Sequence, residues 1–391
     1  MVKTKRVLAL VGFLAGLLGI LVGLSALFVP KNNMSEFGME EVTANGILGE
    51  RENSIDVLVL GDSEAYSSIT PMDLWRDKGY TAYVCGTSSQ TLDYTLELFI
   101  RALENQKPKV VILETDAIYR EVPSQKAIFT RLANHLAVFR YHNRWKTLSW
   151  NDFLGETHFT WTDDWKGYRY YATISGTNPG EYMKPVETAS EIPERNIRYV
   201  KEIQRLCQEN GARLVFLSAP SPVNWNYARH NGIQALAQEM GCEYLDLNLK
   251  QDQIPIDWSK DTRDKGDHLN HFGAVKVTHY LAGWLEETGL LTDHRNDENY
   301  AKWNDALKKY EAVVEKGGPT IPSLCRRTPS RTNARLLGVL AWGKGRCSAT
   351  RAVNTPPGEV AEGKRREIPK TRGRICGKQR GNFVPDLTEW V

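Results

Sequence analysis

Val57-Leu58-Val59-Leu60 runs into Gly61-Asp62-Ser63 and stops. So short a run, apolar at every position, reads as a strand buried on both faces, the kind used in parallel sheets. Parallel strands need crossover helices, and the chain supplies both. Residues 81–85, 109–114, 213–218 and 243–247 read as further strands. Helices are expected at 71–77, 90–105, 195–210, 228–240 and about 272–288. In the second of these, Leu92, Leu96, Ile100 and Leu103 fall on one face. Thr70 and Pro71 suit a helix start, and Gly211 and Gly241 suit helix ends. The order predicts an α/β fold, a three-layer, doubly wound parallel sheet. In such sheets the chemistry gathers past the carboxyl ends of the strands, where Ser63 lies.

Ahead of the first strand, residues 7–29 contain 23 residues without a charge, preceded by Lys3, Lys5 and Arg6. At about 1.5 Å per residue this spans a hydrocarbon core of roughly 30 Å. Pro30-Lys31-Asn32-Asn33 is a poor cleavage site. Residues 1–30 are therefore expected to be an uncleaved signal anchor of a single-pass cell-membrane protein. The basic flank puts the N-terminus in the cytoplasm and the body outside. Residues 31–53 read as a polar spacer and residues 54–318 as the α/β domain. Within it, residues 117–193 are rich in tryptophan and tyrosine and break the alternation. They read as an insertion capping the carboxyl edge of the sheet, with helix expected within 128–150. It suits a saccharide-binding wall, or equally a packed aromatic lid.

The formal net charge of +3 hides an asymmetry. From Pro319 onward there are 15 Lys/Arg and 5 Asp/Glu, which leaves the rest acidic by 7 charges. That pattern marks residues 319–391 as a separate basic tail, disordered or foreign to the domain, and argues against a nucleic-acid partner for the body. Six cysteines without CxxC spacing argue against a zinc site and a disulfide scaffold. Cys85, Cys207 and Cys242 read as core thiols. No phosphate loop, dinucleotide fingerprint or HExxH is present, so no cofactor or metal is expected.

A serine hydroxyl needs a base, and the base needs an orienting group. Of the eight histidines, His268 and His271 stand apart. They lie in a polar loop, residues 264–273, between the last strand and the last helix. His268 has two carboxylates near it in sequence, Asp264 and Asp267. Adjacent side chains diverge, so Asp264, four residues back across a glycine-containing turn, is favoured as the orienting group, with Asp267 the alternative. Asn270 reads as the cap of the last helix.

Gly61-Asp62-Ser63 after the first strand, with an Asp/His pair before the last helix, resembles the SGNH (GDSL) hydrolase superfamily. The anchor, the element order and the Asp267–Gly273 stretch DHLNHFG are similar to its extracytoplasmic acyltransferase-like branch. That branch includes the D-alanyl transfer protein of teichoic acid modification and the polysaccharide O-acetyltransferases. The resemblance covers about residues 54–290. It implies Ser63 as nucleophile, His268 as base, and the Ser63 N–H and Gly86 as oxyanion donors. Asp116 stands where the family carries an asparagine donor. A carboxylate accepts hydrogen bonds and repels an oxyanion, so Ser88, Ser89 or Gln90 is expected to substitute. The spacing of the acid to His268 also departs from the family's two residues. The implied function is a membrane-anchored serine acyltransferase or esterase acting on O-acyl groups of a cell-surface polysaccharide or teichoic-acid-like polymer. A membrane-bound protein would supply the acyl donor. The alternative is a catalytically inactive envelope protein that keeps the fold and binds glycans or a partner protein.

Overall fold

A computed structural model of the chain describes residues 2–317. The 319–391 tail, with Cys325, Cys347 and Cys376, lies outside the described residues. Along the chain come α1 (Val2–Phe28), α2 (Val42–Asn45), β1 (Val57–Gly61), α3 (Ser63–Ser68), α4 (Pro71–Lys78) and β2 (Ala82–Gly86). Then follow α5 (Leu92–Leu103), β3 (Val110–Glu114), α6 (Asp116–Tyr119), α7 (Ser124–His135), α8 (Val138–Tyr141) and α9 (Trp150–Leu154). The body closes with α10 (Glu194–Glu209), β4 (Arg213–Ser218), α11 (Tyr227–Met240), β5 (Glu243–Asp246), α12 (His271–Glu287) and α13 (Ala301–Glu315).

The strands form one parallel sheet in the order β2-β1-β3-β4-β5. This is the doubly wound α/β fold that the alternation predicts. Alternate strand residues feed two cores. Leu58, Leu60, Val111, Leu113 and Phe216 pack with α5, α10 and α11. Val57, Val59, Val110, Ile112, Val215 and Leu217 pack with Val277, Leu281 and Leu285 of α12. The strand order reverses between β1 and β3, so a crevice opens past their carboxyl ends. Ser63 sits there.

Four features differ from the sequence expectation. Residues 31–53 are not a spacer: Met39, Ala44, Ile47 and Leu48 are buried in the core. The buried Asn33 ties this segment inward, donating to the Asn45 and Trp161 carbonyls at 3.1 and 2.6 Å. Thr70 stands at the N-cap of α4 ahead of Pro71, as expected, but its side chain caps no backbone N–H; the hydroxyl donates instead to Asp73 Oδ2 at 2.8 Å. The 128–150 region is not one helix but α7, α8 and a 3-10 turn over His142–Lys146, with α9 beginning at Trp150. Cys85 and Cys207 are buried thiols, but Cys242 is only half-buried. The sequence reading also missed α13, whose Trp303, Ala306 and Tyr310 are buried. Trp303 packs on the fully buried Trp75, ring centroids 5.3 Å apart. Trp303→Ala is expected to cost about 3–5 kcal/mol, read as a lower urea midpoint at unchanged slope. A loss below about 1 kcal/mol would place α13 outside the cooperative unit.

The insertion also covers an edge of the sheet. The Val84 N–H of β2 donates to the Lys166 carbonyl at 2.9 Å. Gly167 has φ +88°, and a Cβ there would lie 2.0 Å from the Val84 carbonyl oxygen, so only glycine lets this segment pass.

Candidate active site

The serine turn is built by close approach. A Cβ on Gly61 would lie 2.6 Å from Glu114 Cβ and 2.9 Å from Ala65 Cβ, so a side chain there would push β1 off β3 or α3. Asp62 caps α3, its Oδ1 accepting from the Glu64 N–H at 2.9 Å. Ser63 follows as the first helical residue and is half-buried. Its N–H has no acceptor within the helix. Gly86 pairs in register with Gly61, and a Cβ there would stand 3.0 Å from the Asp62 carbonyl oxygen.

The histidine is placed by a tight turn. Lys265 and Gly266 both have positive φ, 65° and 91°. The chain therefore doubles back, and Thr262 bridges Leu269 in antiparallel fashion. Gly266 is close-packed as well, since a Cβ would meet Pro222 Cγ at 2.8 Å. The reversal brings Asp264 back over His268. Asp264 Oδ1 accepts from the His268 N–H at 2.6 Å, and its Oδ2 lies 2.7 Å from His268 Nδ1. Asp267 Oδ2 is farther from that nitrogen, at 3.5 Å. With Nδ1 engaged by a carboxylate, Nε2 is left as the basic nitrogen. His271 is separate: it is buried against Tyr168, Tyr170 and Tyr310. Burial lowers its pKa and keeps it neutral. Asn270 caps α12, its Oδ1 accepting from the Phe272 and Gly273 N–H groups.

The serine and histidine elements meet. Arg263 Nη1 donates to Ser67 Oγ of α3 at 2.9 Å. Asn224, in the loop after β4, donates to Glu64 Oε1 at 2.8 Å and to Asp267 Oδ1 at 2.7 Å. Glu64, Asp267 and His268 each offer a ligand atom within 4.8 Å of the other two, so these three residues could hold a cation. No hydrogen bond joins Ser63 Oγ to His268 among the described residues. Such contacts often close only when substrate binds.

Behind the serine lies a buried acidic cluster. Arg120 pairs with Asp62 and Asp116, and Arg229 pairs with Asp116 at 2.8 Å. Burial, with the Asp116 carboxylate alongside, pushes Asp62 up to about 7. Burial likewise raises Glu64 and Glu114 well above the usual carboxylate range, each helped by the other carboxylates. The two arginines pair only with Asp62 and Asp116, which leaves Glu64 and Glu114 without a cationic partner.

None of the expected substitute oxyanion donors is hydrogen-bonded to Ser63 among the described residues. Gln90 spends its amide N–H groups on the Cys85 carbonyl and Thr95 Oγ1, so it does not point a donor at Ser63. Ser88 Oγ is 3.0 Å from Tyr66 Oη. Ser89, in the left-handed region at φ 53°, is exposed. Asp116 accepts from Arg120 and Arg229 and offers no donor. Asn224 and Arg263 were missed by sequence reasoning. Asn224 follows β4 at the same sheet edge, which is a position signal that could have found it. The closeness of Glu64 to Glu114 carried none, because it depends on register.

No protein-family model and no curated protein matches the chain. Among solved structures, the chain is similar to a GDSL-like lipase from Bacteroides thetaiotaomicron, at 13% identity over 59% of this chain and 88% of that one, TM-score 0.30. It is also similar to a psychrotrophic esterase from Pseudoalteromonas sp., at 10% identity over 59% and 97%, TM-score 0.33. A third is the lipase/acylhydrolase from Enterococcus faecalis, at 10% over 60% and 96%, TM-score 0.34. Likeness of this degree assigns neither chemistry nor substrate to this chain.

Proposed function

We propose that the chain is a serine esterase or O-acyltransferase of SGNH (GDSL) type, anchored in the membrane by α1. The observation that carries this reading is the Asp264–His268 pair, held by its turn beside the residue that follows Ser63. In the reaction, His268 Nε2 takes the proton from Ser63 Oγ as that oxygen attacks an ester carbonyl. Asp264 holds the Nδ1–H and stabilises the imidazolium. The Ser63 N–H and the Gly86 backbone receive the oxyanion. The tetrahedral intermediate expels the alcohol, which takes the proton back from His268. Water or a sugar hydroxyl then resolves the acyl-enzyme by the same steps in reverse. We take a cell-surface polysaccharide or teichoic-acid-like polymer as acceptor, with a membrane-bound partner as acyl donor.

A fluorophosphonate probe on the full-length protein tests this. Labelling at Ser63 that is lost in His268→Ala is expected; a folded protein that never labels overturns it. Turnover is also expected to survive EDTA and to be inhibited by added Zn²⁺, which would bind His268 with Glu64 and Asp267 as co-ligands. Loss of activity in EDTA would contradict a metal-free base.

A second reading, a catalytically silent protein that binds glycans, is favoured by one observation: Ser88, Gln90 and Asp116 offer Ser63 no third donor. Polysaccharide binding without probe labelling would select it.

A further inference from the structure

The helices of the insertion grip the end of α1. Leu21, Ser25 and Phe28 share one face of it, at helical spacing. Leu21 and Phe28 pack against Val138, Tyr141, Phe139 and Leu148. The Val138 N–H donates to Ser25 Oγ at 3.1 Å. Arg144, itself buried and paired with Asp152, donates to the Phe28 and Val29 carbonyls at 2.8 and 3.0 Å. Lys31 Nζ donates to the Ala26 carbonyl at 3.0 Å. Carbonyls that a helix end leaves bare are thereby satisfied, which a lipid surrounding demands.

This grip fixes a depth. Leu21 lies seven residues before Phe28, about 10 Å down the helix axis. The uncharged run of residues 7–29 is about 34 Å long, against a hydrocarbon core of about 30 Å. Only a few ångströms of slack remain, so the elements that touch Leu21 cannot stand clear of the headgroups. The same elements carry exposed aromatics. Trp145 is 64% exposed, Trp150 82% and Phe153 57%. Trp150 and Phe153 lie 5.8 Å apart, and Lys146 Nζ sits over the Trp145 ring at 5.6 Å. Exposed apolar residues scattered singly mean little. Here they cluster beside the end of an apolar helix, in the tryptophan-plus-lysine composition of a membrane–water boundary.

We propose that residues 138–154 lie in the interfacial layer of the lipid bilayer, at the leaflet where α1 ends, with Trp145, Trp150 and Phe153 inserted as anchors. The proposal rests on α1 spanning the membrane. Its consequence is that the body is held by two attachments, which sets the height of the Ser63 crevice above the lipid.

The test uses the full-length chain, labelled with fluorotryptophan, in phosphatidylcholine–phosphatidylglycerol vesicles. Fluorine NMR resonances are assigned by their absence in Trp145→Phe and Trp150→Phe. Both are expected to be lost to broadening when the vesicles contain lipid bearing a nitroxide near the headgroup, and to persist with an aqueous gadolinium chelate. The resonance of Trp225, buried beneath Tyr119 in the body, is expected to resist both probes. Loss to the chelate alone overturns the proposal, and protection from both probes overturns it by showing a second copy on the patch. Alkaline carbonate extraction separates the two layers of the argument. A retained chain whose tryptophans see only the chelate sinks this proposal alone, whereas release of the chain sinks the spanning reading with it.

Discussion

Ser63→Ala, His268→Ala and the double variant are expected to fall to one shared floor, about a millionfold below the wild-type kcat for ester cleavage. In the proposed mechanism nucleophile and base act as one unit: without His268 the hydroxyl stays protonated, and without Ser63 the base has nothing to activate. Their losses therefore do not add. The floor itself reports what the remaining backbone donors contribute. The measurement is kcat on p-nitrophenyl acetate for all three variants, with thermal unfolding as a control. His268 is only partly buried and α3 is held by other contacts, so the folds are expected to survive. If the double variant lost far more than either single one, the two residues would be acting independently and the proposed mechanism would fail.

The second large effect separates the two carboxylates beside His268. Asp264→Asn is expected to lower kcat about ten-thousandfold, because the amide can present a donor to Nδ1 and turn the imidazole to the wrong tautomer. Asp267→Asn is expected to cost about tenfold or less. Its Oδ2 lies 3.5 Å from Nδ1, and its Oδ1 already accepts from Asn224. An asparagine can keep that second contact through its carbonyl oxygen. The pair of kcat values decides the matter, since the reverse ranking would make Asp267 the orienting group and Asp264 a backbone support of the turn.

The contrast follows from how each residue is placed, and so does what could be read from the chain alone. The strands were legible because both of their faces are buried, which leaves unbroken apolar runs over residues 57–60 and 110–113. The Asp264–His268 relation was legible because one turn, with its glycine, contains both partners. The 31–53 segment was not, because its few core residues are spaced among polar ones such as Asn33 and Asn45 that are buried only through hydrogen bonds. The final helix hid its stripe of Trp303, Ala306 and Tyr310 within a run of lysines and glutamates. Asn224 and the Asp62–Glu64–Glu114–Asp116 cluster come from the ends of three separate strands, β1, β3 and β4. Only the register of the sheet brings them together, and register is not written in any one stretch.

The covering of β2 by the insertion reaches beyond the finished molecule. Until residues near Lys166 and Gly167 dock, the outer edge of β2 presents unpaired N–H and C=O groups, a template for another copy of the chain. Those residues are made some eighty positions after the strand they cover, so every newly made molecule passes through an interval in which its sheet can join a neighbour's. Damage to the insertion would then be felt first as clumping during biogenesis, before any question of catalysis arises.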